Sequence, residues 1–203
     1  MEIAWAPDPI MARLVAHLPP PPLRTPQDPY RYLLRSVVGQ QLSVRVATAI
    51  WERFLQLFPS QQPSPAALLH LSDAGLRSVG LSAGKSAYVR NIAQFATRNP
   101  LTTEALAAQT DEEIIAYLTS IKGVGRWTVE MVLLFALGRP DVFAVDDLVI
   151  RQMMVQLYDL TETGAALRRK LETIAEVWRP HRSRGCYYLW AARDSGLDWA
   201  EDL

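Results

Sequence analysis

The chain has 203 residues; 49% are apolar, 21% are charged, and 21 basic side chains are balanced by 21 acidic ones, for a formal net charge of zero. Such a chain builds one sizeable core or two small lobes. It is too apolar to be disordered, and no apolar run approaches the roughly 20 residues that a membrane span needs. The neutral balance argues against indiscriminate coating of a polyanion and leaves room for a local basic face.

The first residues, Met1 to Pro9, are acidic and broken by Pro7 and Pro9, unlike a secretion signal, so a soluble intracellular protein is expected. Apolar groups then recur at three- and four-residue spacing over 30–38 and 44–55, which predicts two amphipathic helices, the second capped by Ser43. Ser64-Pro65 sets a cap before proline at a first helical position. Ser72 and Ser82 repeat the cap logic, the latter before a helix over 87–95. Thr110-Asp-Glu-Glu113 fits a capping box that opens a helix with Ile114 to Leu118. Further helices are predicted around 148–157, 164–178 and 183–193. Convincing period-two strands are scarce. Prolines cluster at 19–22 and 59–65, where they punctuate the chain as connectors. The expectation is an all-α protein of about ten short helices.

Cys186 is the single cysteine, and His17, His70 and His181 lie far apart. An internal disulfide, an all-cysteine zinc site and an iron–sulfur cluster are thereby excluded.

Between the helix ending near Lys122 and one starting near Arg126 stands Gly123-Val-Gly125. Without Cβ atoms there, a phosphate reaches the amides at the N-terminus of the second helix, with Thr128 adding a hydroxyl and Lys122 a charge. The alternative is a tight turn between two helices with glycine at each strained position. A Walker loop is excluded, because no Gly-Lys-Ser/Thr follows. Some twenty residues on, Asp146 and Asp147 stand between apolar groups at a helix start. On its own, that pattern reads as Asp146 capping the helix and Asp147 occupying its first turn.

Five segments in this order, Val38-Gly-Gln-Gln-Leu-Ser43, Val79-Gly-Leu-Ser-Ala-Gly-Lys85, Gly123-Val-Gly-Arg-Trp-Thr128, Val142-Phe-Ala-Val-Asp-Asp147 and Trp178-Arg-Pro-His-Arg-Ser183 through Leu189-Trp190, together resemble the helix-hairpin-helix DNA glycosylase superfamily. Within it they are similar to the 3-methyladenine DNA glycosylase II branch, which excises alkylated bases. The resemblance covers nearly the whole chain. It implies a single glycosylase domain over 1–203, with two helical lobes and the active cleft between them. Lobe one would run over 30–139, with the helix-hairpin-helix at about 111–137, and lobe two would join 1–29 to 140–203. The N-terminal β-domain of longer bacterial forms is expected to be absent.

The activity implied is hydrolysis of the N-glycosidic bond of 3-methyladenine or 7-methylguanine flipped out of duplex DNA, leaving an abasic site. Alternatives are a glycosylase for other damaged or mismatched bases and a non-catalytic helix-hairpin-helix DNA-binding protein. Taking Trp127 as the register, Asp147 matches the catalytic acid, with Asp146 capping the helix or orienting its neighbour; the twin acids leave the choice open by one residue. Relatives that also cut the strand as lyases place a lysine where this chain has Trp127, so lyase activity is not expected. Trp127, Trp190, Met131 and Tyr187 match or adjoin the base pocket, Met131 standing where some relatives have an aromatic residue. Tyr187 and Tyr188, one helical turn before Trp190, either join the pocket or pack in the core. Gln41 and Leu42 match the wedge loop, with leucine as wedge and glutamine probing the partner base. Gly123, Gly125, Thr128 and Arg182 are expected at DNA. The basic residues Arg179, His181, Arg182, Arg184 and Arg193, with Arg168 to Lys170 before them, form a candidate phosphate-binding cluster. In the family, hairpin carbonyls hold a structural monovalent cation, here those of Thr119, Ile121 and Val124. No cofactor is required for the chemistry and no iron–sulfur cluster is expected. The expected partner is double-stranded DNA with damaged bases. The protein would act as a monomer, away from membranes and with chromosomal DNA, which in a bacterium means the cytoplasm or nucleoid.

Overall fold

Short polar side chains start most of the helices in this chain, because a buried helix end needs its first amides satisfied. Asp8, Asp28, Ser64, Ser72, Ser82, Thr102, Thr110 and Asp147 each accept a backbone amide of the helix they precede. The computed structural model describes residues 8–22, 25–197 and 199; the N-terminal segment before Asp8, read above as unlike a secretion signal, lies outside them. Among the described residues there are twelve α-helices and no strand, so the fold is all-α. None of these helices is long and apolar enough to cross a membrane.

The chain folds as two units, one formed by 1–24 with 138–203 and the other by 25–137. The second unit holds α2 (Pro29–Gly39), α3 (Val44–Leu55), α4 (Pro65–His70), α5 (Asp73–Ser78), α6 (Ala83–Ala96), α7 (Thr103–Ala107), α8 (Asp111–Thr119) and α9 (Arg126–Met131). Helix α2 is central, packing on α3, α6 and α9. Its Leu33, Leu34, Val37 and Val38 are wholly buried, each worth about 1.5–3 kcal/mol of transfer free energy. Trp51, Phe54 and Phe58 extend that core as a run of ring contacts at 5.4 and 5.1 Å. Thr110 and Glu113 form the predicted capping box. Ser43 stands at the N-cap of α3, but its hydroxyl makes no cap hydrogen bond.

The apolar run after α9 continues as a π-helix over Val132–Ala136, closed by the Leu137 amide on the Val132 carbonyl at 2.9 Å. In this wider turn Phe135 meets Tyr32, and the two rings stack at 6.3 Å. Local periodicity does not predict this π segment.

The first unit holds α1 (Pro9–His17), α10 (Leu148–Leu157), α11 (Gly164–Glu176) and α12 (Arg182–Asp194), with α12 packed on the other three. Helix α1 is an addition to the sequence reading, which takes Pro9 as a break. Asp8 followed by proline at the first helical position is instead a start signal. Buried Asp8 also clamps the unit. Its Oδ1 accepts the Ile10 and Met11 amides, and its Oδ2 accepts Trp178 Nε1 at 2.7 Å and the Tyr158 hydroxyl at 2.5 Å. Burial, then Asp8 itself, pushes the Tyr158 phenol far above its ordinary pKa.

Gly185 lets α12 approach Trp178: a Cβ there would fall 2.5 Å from the indole Cε3. The indole is fully buried and anchored to Asp8, so it has no room to yield. Gly185→Ala is therefore expected to destabilise the protein by about 1–3 kcal/mol, lowering the thermal unfolding midpoint by about 2–4 °C per kcal/mol. An unchanged midpoint in a calorimetric scan would count against this packing.

Candidate active site

In the first unit, Asp147 closes a turn on the Ala144 carbonyl and caps α10. Its Oδ1 accepts the amides of Val149 and Ile150, both at 3.0 Å. The same oxygen accepts the indole Nε1 of Trp190 at 3.1 Å. Three N–H donors from two helices thus converge on one carboxylate oxygen, in a side chain only 7% exposed. Trp190 is half-buried on α12, and one turn earlier Tyr187 brings its ring to 6.0 Å, tilted by 38°. Tyr188, one residue on, points into the core. Asp147, Trp190 and Tyr187 therefore form one cluster, and of the two tyrosines Tyr188 is the one packed in the core.

This geometry corrects the reading of the paired acids. Asp147, not Asp146, caps the helix. Asp146 instead pairs with Arg168 at 2.5 Å. Its carboxylate is thus turned toward α11. Leu148, next in sequence, is 66% exposed, an apolar group beside the acid that the sequence reading does not single out.

In the second unit, the hairpin between α8 and α9 buries its aliphatic side chains and exposes its charged and aromatic ones. Ile121, Val124 and Thr128 are buried, whereas Lys122, Gly125, Arg126 and Trp127 are open to solvent. Arg126 straps the two helices together through Glu112 at 2.7 Å and Glu130 at 3.0 Å. Trp127 is 39% exposed, a large apolar side chain left open to solvent. Met131, one turn further, is buried. Thr128 is 2% exposed, so its hydroxyl is withdrawn from any phosphate; the β-branched side chain serves the interior of α9 instead.

The two glycines do different work. Gly123 has φ +101°, and a Cβ on it would fall 2.3 Å from the Tyr88 ring. Its missing side chain is required by the backbone and by Tyr88, and not by an approaching phosphate. Gly125 is the N-cap of α9, and a Cβ there would meet nothing within 4 Å. Only this second glycine leaves the helix N-terminus open to approach.

The hairpin carbonyls divide similarly. Asn91 donates to the Lys122 carbonyl at 3.0 Å, and Gln40 to that of Gly123 at 3.5 Å. Neither carbonyl belongs to the trio of Thr119, Ile121 and Val124, of which Ile121 accepts the Val124 amide. Beside the hairpin opens a groove of about 380 Å³ whose lining includes Arg98 and Lys122. No acidic residue lines it.

Gln41 and Leu42 lie on an exposed turn before α3, with Val44 84% exposed and Val46 also open to solvent. Lys85 reaches this turn from α6. Its Nζ donates to the carbonyls of Val38 and Gln40 at 2.8 and 2.7 Å, and burial lowers its pKa.

Three of the basic residues expected at DNA are ion-paired within their own unit. Arg182 is bidentate on Asp141, with Nε–Oδ1 at 2.8 Å and Nη2–Oδ2 at 3.1 Å. Arg179 meets Asp141 and Glu176, both at 2.7 Å. Arg168 is held by Asp146 and Glu172. For Asp141, burial raises the carboxyl pKa, but Arg182 and then Arg179 outweigh it and hold it below the ordinary range. Arg182 is thus an internal strut that ties α12 to Asp141.

Residues 34–180 match the HhH-GPD superfamily of base excision DNA repair proteins. The DNA-3-methyladenine glycosylase 1 of Schizosaccharomyces pombe is 34% identical over 184 residues, covering 89% of this chain and 79% of that protein. The solved structure of the 3-methyladenine DNA glycosylase of that yeast in complex with abasic DNA superposes with a TM-score of 0.78, covering 93% of this chain and 91% of that one. A DNA-3-methyladenine glycosidase from Bacillus halodurans, 32% identical, superposes with a TM-score of 0.79 over 97% of this chain and 88% of its own. The match spans both the Gly125 hairpin and the acid at the head of α10, and the chain belongs to the HhH-GPD superfamily of base excision DNA repair proteins.

Proposed function

We propose that this chain is a monofunctional DNA glycosylase that releases alkylated purines of the 3-methyladenine and 7-methylguanine type from duplex DNA and leaves an abasic site. The observation that most supports it is the convergence of three N–H donors on Asp147 Oδ1, in a chain similar to proteins named for 3-methyladenine release.

Methylation at a purine ring nitrogen makes the base cationic. When the N-glycosidic bond breaks, its electron pair leaves with the base, which departs neutral, and positive charge develops on the deoxyribose. In this reading Asp147 is the carboxylate that stabilises that charge and orients the water attacking C1′. Water adds its oxygen to the sugar and loses a proton, so no general acid is needed at the base. The Trp190 and Tyr187 rings beside Asp147 suit a cationic base through cation–π attraction, and the exposed Trp127 offers an aromatic face of the same kind. Met131 contributes a polarizable wall.

Extrusion of the nucleotide costs a few kcal/mol of unstacking. We assign the filling of the gap to Gln41 and Leu42, and the phosphate grip to the amides that follow Gly125, with Lys122 beside them. A monovalent cation held by the carbonyls of Thr119, Ile121 and Val124 would add positive charge to that grip. The proposed substrate is damaged double-stranded DNA, bound by a monomer on chromosomal DNA.

Base release from methylated DNA, followed by chromatography, tests the reaction. The wild-type chain should release 3-methyladenine and 7-methylguanine. Asp147→Asn keeps a good N-cap and should lower the single-turnover rate by about 100-fold or more; undiminished release would sink the assignment. Trp190→Phe keeps an aromatic ring but removes the donor to Asp147, and should slow release by about tenfold with little change in DNA affinity. Because Trp127 stands where a lyase carries lysine, borohydride treatment during turnover should trap no covalent protein–DNA adduct, and an adduct would contradict the monofunctional reading.

A further inference from the structure

The segment Val79 to Lys85 belongs to the resemblance but has no part in the chemistry above. Leu81 is buried, and Ser82 caps α6 by accepting the Lys85 amide at 3.2 Å. Lys85 therefore sits in the first turn of its own helix, where the dipole disfavours a cation. Its ammonium is turned instead to the end of α2, where the free carbonyls favour one.

The carbonyls it holds are not equivalent. The Leu42 amide bonds the Gly39 carbonyl at 3.2 Å, which closes a β-turn over Gly39–Leu42. Gln40 has φ −51° and ψ 133°, and Gln41 has φ +57°, the pattern of a type II turn. That type asks for glycine or asparagine at its third position, and here the residue is glutamine. A type I turn relieves the positive φ by flipping the peptide between Gln40 and Gln41, and the flip carries the Gln40 carbonyl away. The Lys85 ammonium bonds that carbonyl at 2.7 Å. The Gln40 side chain adds a tie to the hairpin through the Gly123 carbonyl.

We propose that Lys85 is the positioning residue of the DNA-insertion turn, holding the Gln40 carbonyl so that the turn stays type II and presents Gln41 and Leu42 outward to the base stack. The proposal rests on the assignment of Gln41 and Leu42 as the gap-filling residues. It accounts for a half-buried lysine spent on backbone carbonyls, and for a non-glycine residue at positive φ on an exposed turn with open apolar neighbours.

The test separates insertion from catalysis. A duplex carrying 2-aminopurine opposite a stable abasic analogue reports insertion without any chemistry. At saturating protein, wild type should raise the 2-aminopurine fluorescence, Lys85→Met should lose most of the rise, and Lys85→Arg should restore much of it. In single turnover, Lys85→Met should release 7-methylguanine about tenfold more slowly when it is paired with cytosine. Opposite an abasic site, where extrusion is easier, the slowing should be less than about twofold. Gln41→Gly accepts positive φ without help, so adding Lys85→Met to Gln41→Gly should cost nothing further. Equal fluorescence in wild type and Lys85→Met, equal slowing on both substrates, or full additivity with Gln41→Gly would each overturn the proposal. Should Lys85→Met fail to fold by circular dichroism, Lys85→Gln, which stays polar but is too short to hold the Gln40 carbonyl as lysine does, carries the same comparison. Failure of the wild type to release any methylated base would count against the glycosylase reading alone, because the fluorescence arm still reports on the turn.

Discussion

One carboxylate oxygen joins the two helices that carry the proposed chemistry. Asp147 Oδ1 takes two amides at the head of α10 and the indole N–H of α12, so the acid cannot swing away without uncapping one helix and releasing the other. A transition state that builds charge on a sugar is best met by a group already in place. Asp8 is an instructive contrast in the same unit. It too caps a helix and accepts a tryptophan N–H, but its donors are shared over both oxygens, with Tyr158 and Trp178 on Oδ2. Asp8 closes a core. At Asp147 the three donors fall on a single oxygen, and the exposed Leu148 beside it marks a place where the unit meets solvent.

The second unit uses backbone in place of charge. Ile121 and Val124 anchor the hairpin inward, and Arg126 is spent on Glu112 and Glu130. The open features are then a helix N-terminus behind Gly125, an indole and one lysine. Main-chain amides grip phosphate without reading sequence, which suits an enzyme that must sample any position for damage. The same economy appears at the insertion turn, where a lysine is used on carbonyls and the exposed groups are glutamine, leucine and valine.

Helices with strong periodicity and a serine or threonine cap are readable from the sequence, as at Thr110 and Ser82, because the cap chemistry is local. Asp147 is legible only through its register with Trp127. Its pairing with Trp190 spans 43 positions, and no local rule distinguishes it from Asp146. The failures have a common cause. Thr128 looks available in the sequence and is buried; Arg182 looks free and is bidentate on Asp141, 41 residues away. Gly123 looks like a phosphate clearance, and its partner is Tyr88. In each case the decisive neighbour comes from another element, which composition and spacing do not reveal. The π-helix at Val132–Ala136 and the role of Lys85 escape a sequence reading for the same reason. Pro9 is different: the start signal Asp8-Pro9 is local, and reading the proline only as a break overlooks it.

The zero net charge takes on meaning once these pairings are known. Arg168, Arg179 and Arg182 are each matched by acids of their own unit, so these three contribute less long-range field than their number suggests. Lys122 and Arg98, by contrast, line a groove with no acid among its lining residues. An attractive potential that is confined to the flank of a hairpin orients a polyanion, whereas one spread over the surface only concentrates it. A repair protein that must leave undamaged DNA readily gains from the first arrangement, since each additional phosphate contact deepens nonspecific binding by the same counterion release on every sequence. The internal pairing of these three arginines is then more than stabilisation, because an ion-paired guanidinium adds less to nonspecific attraction than an unpaired one.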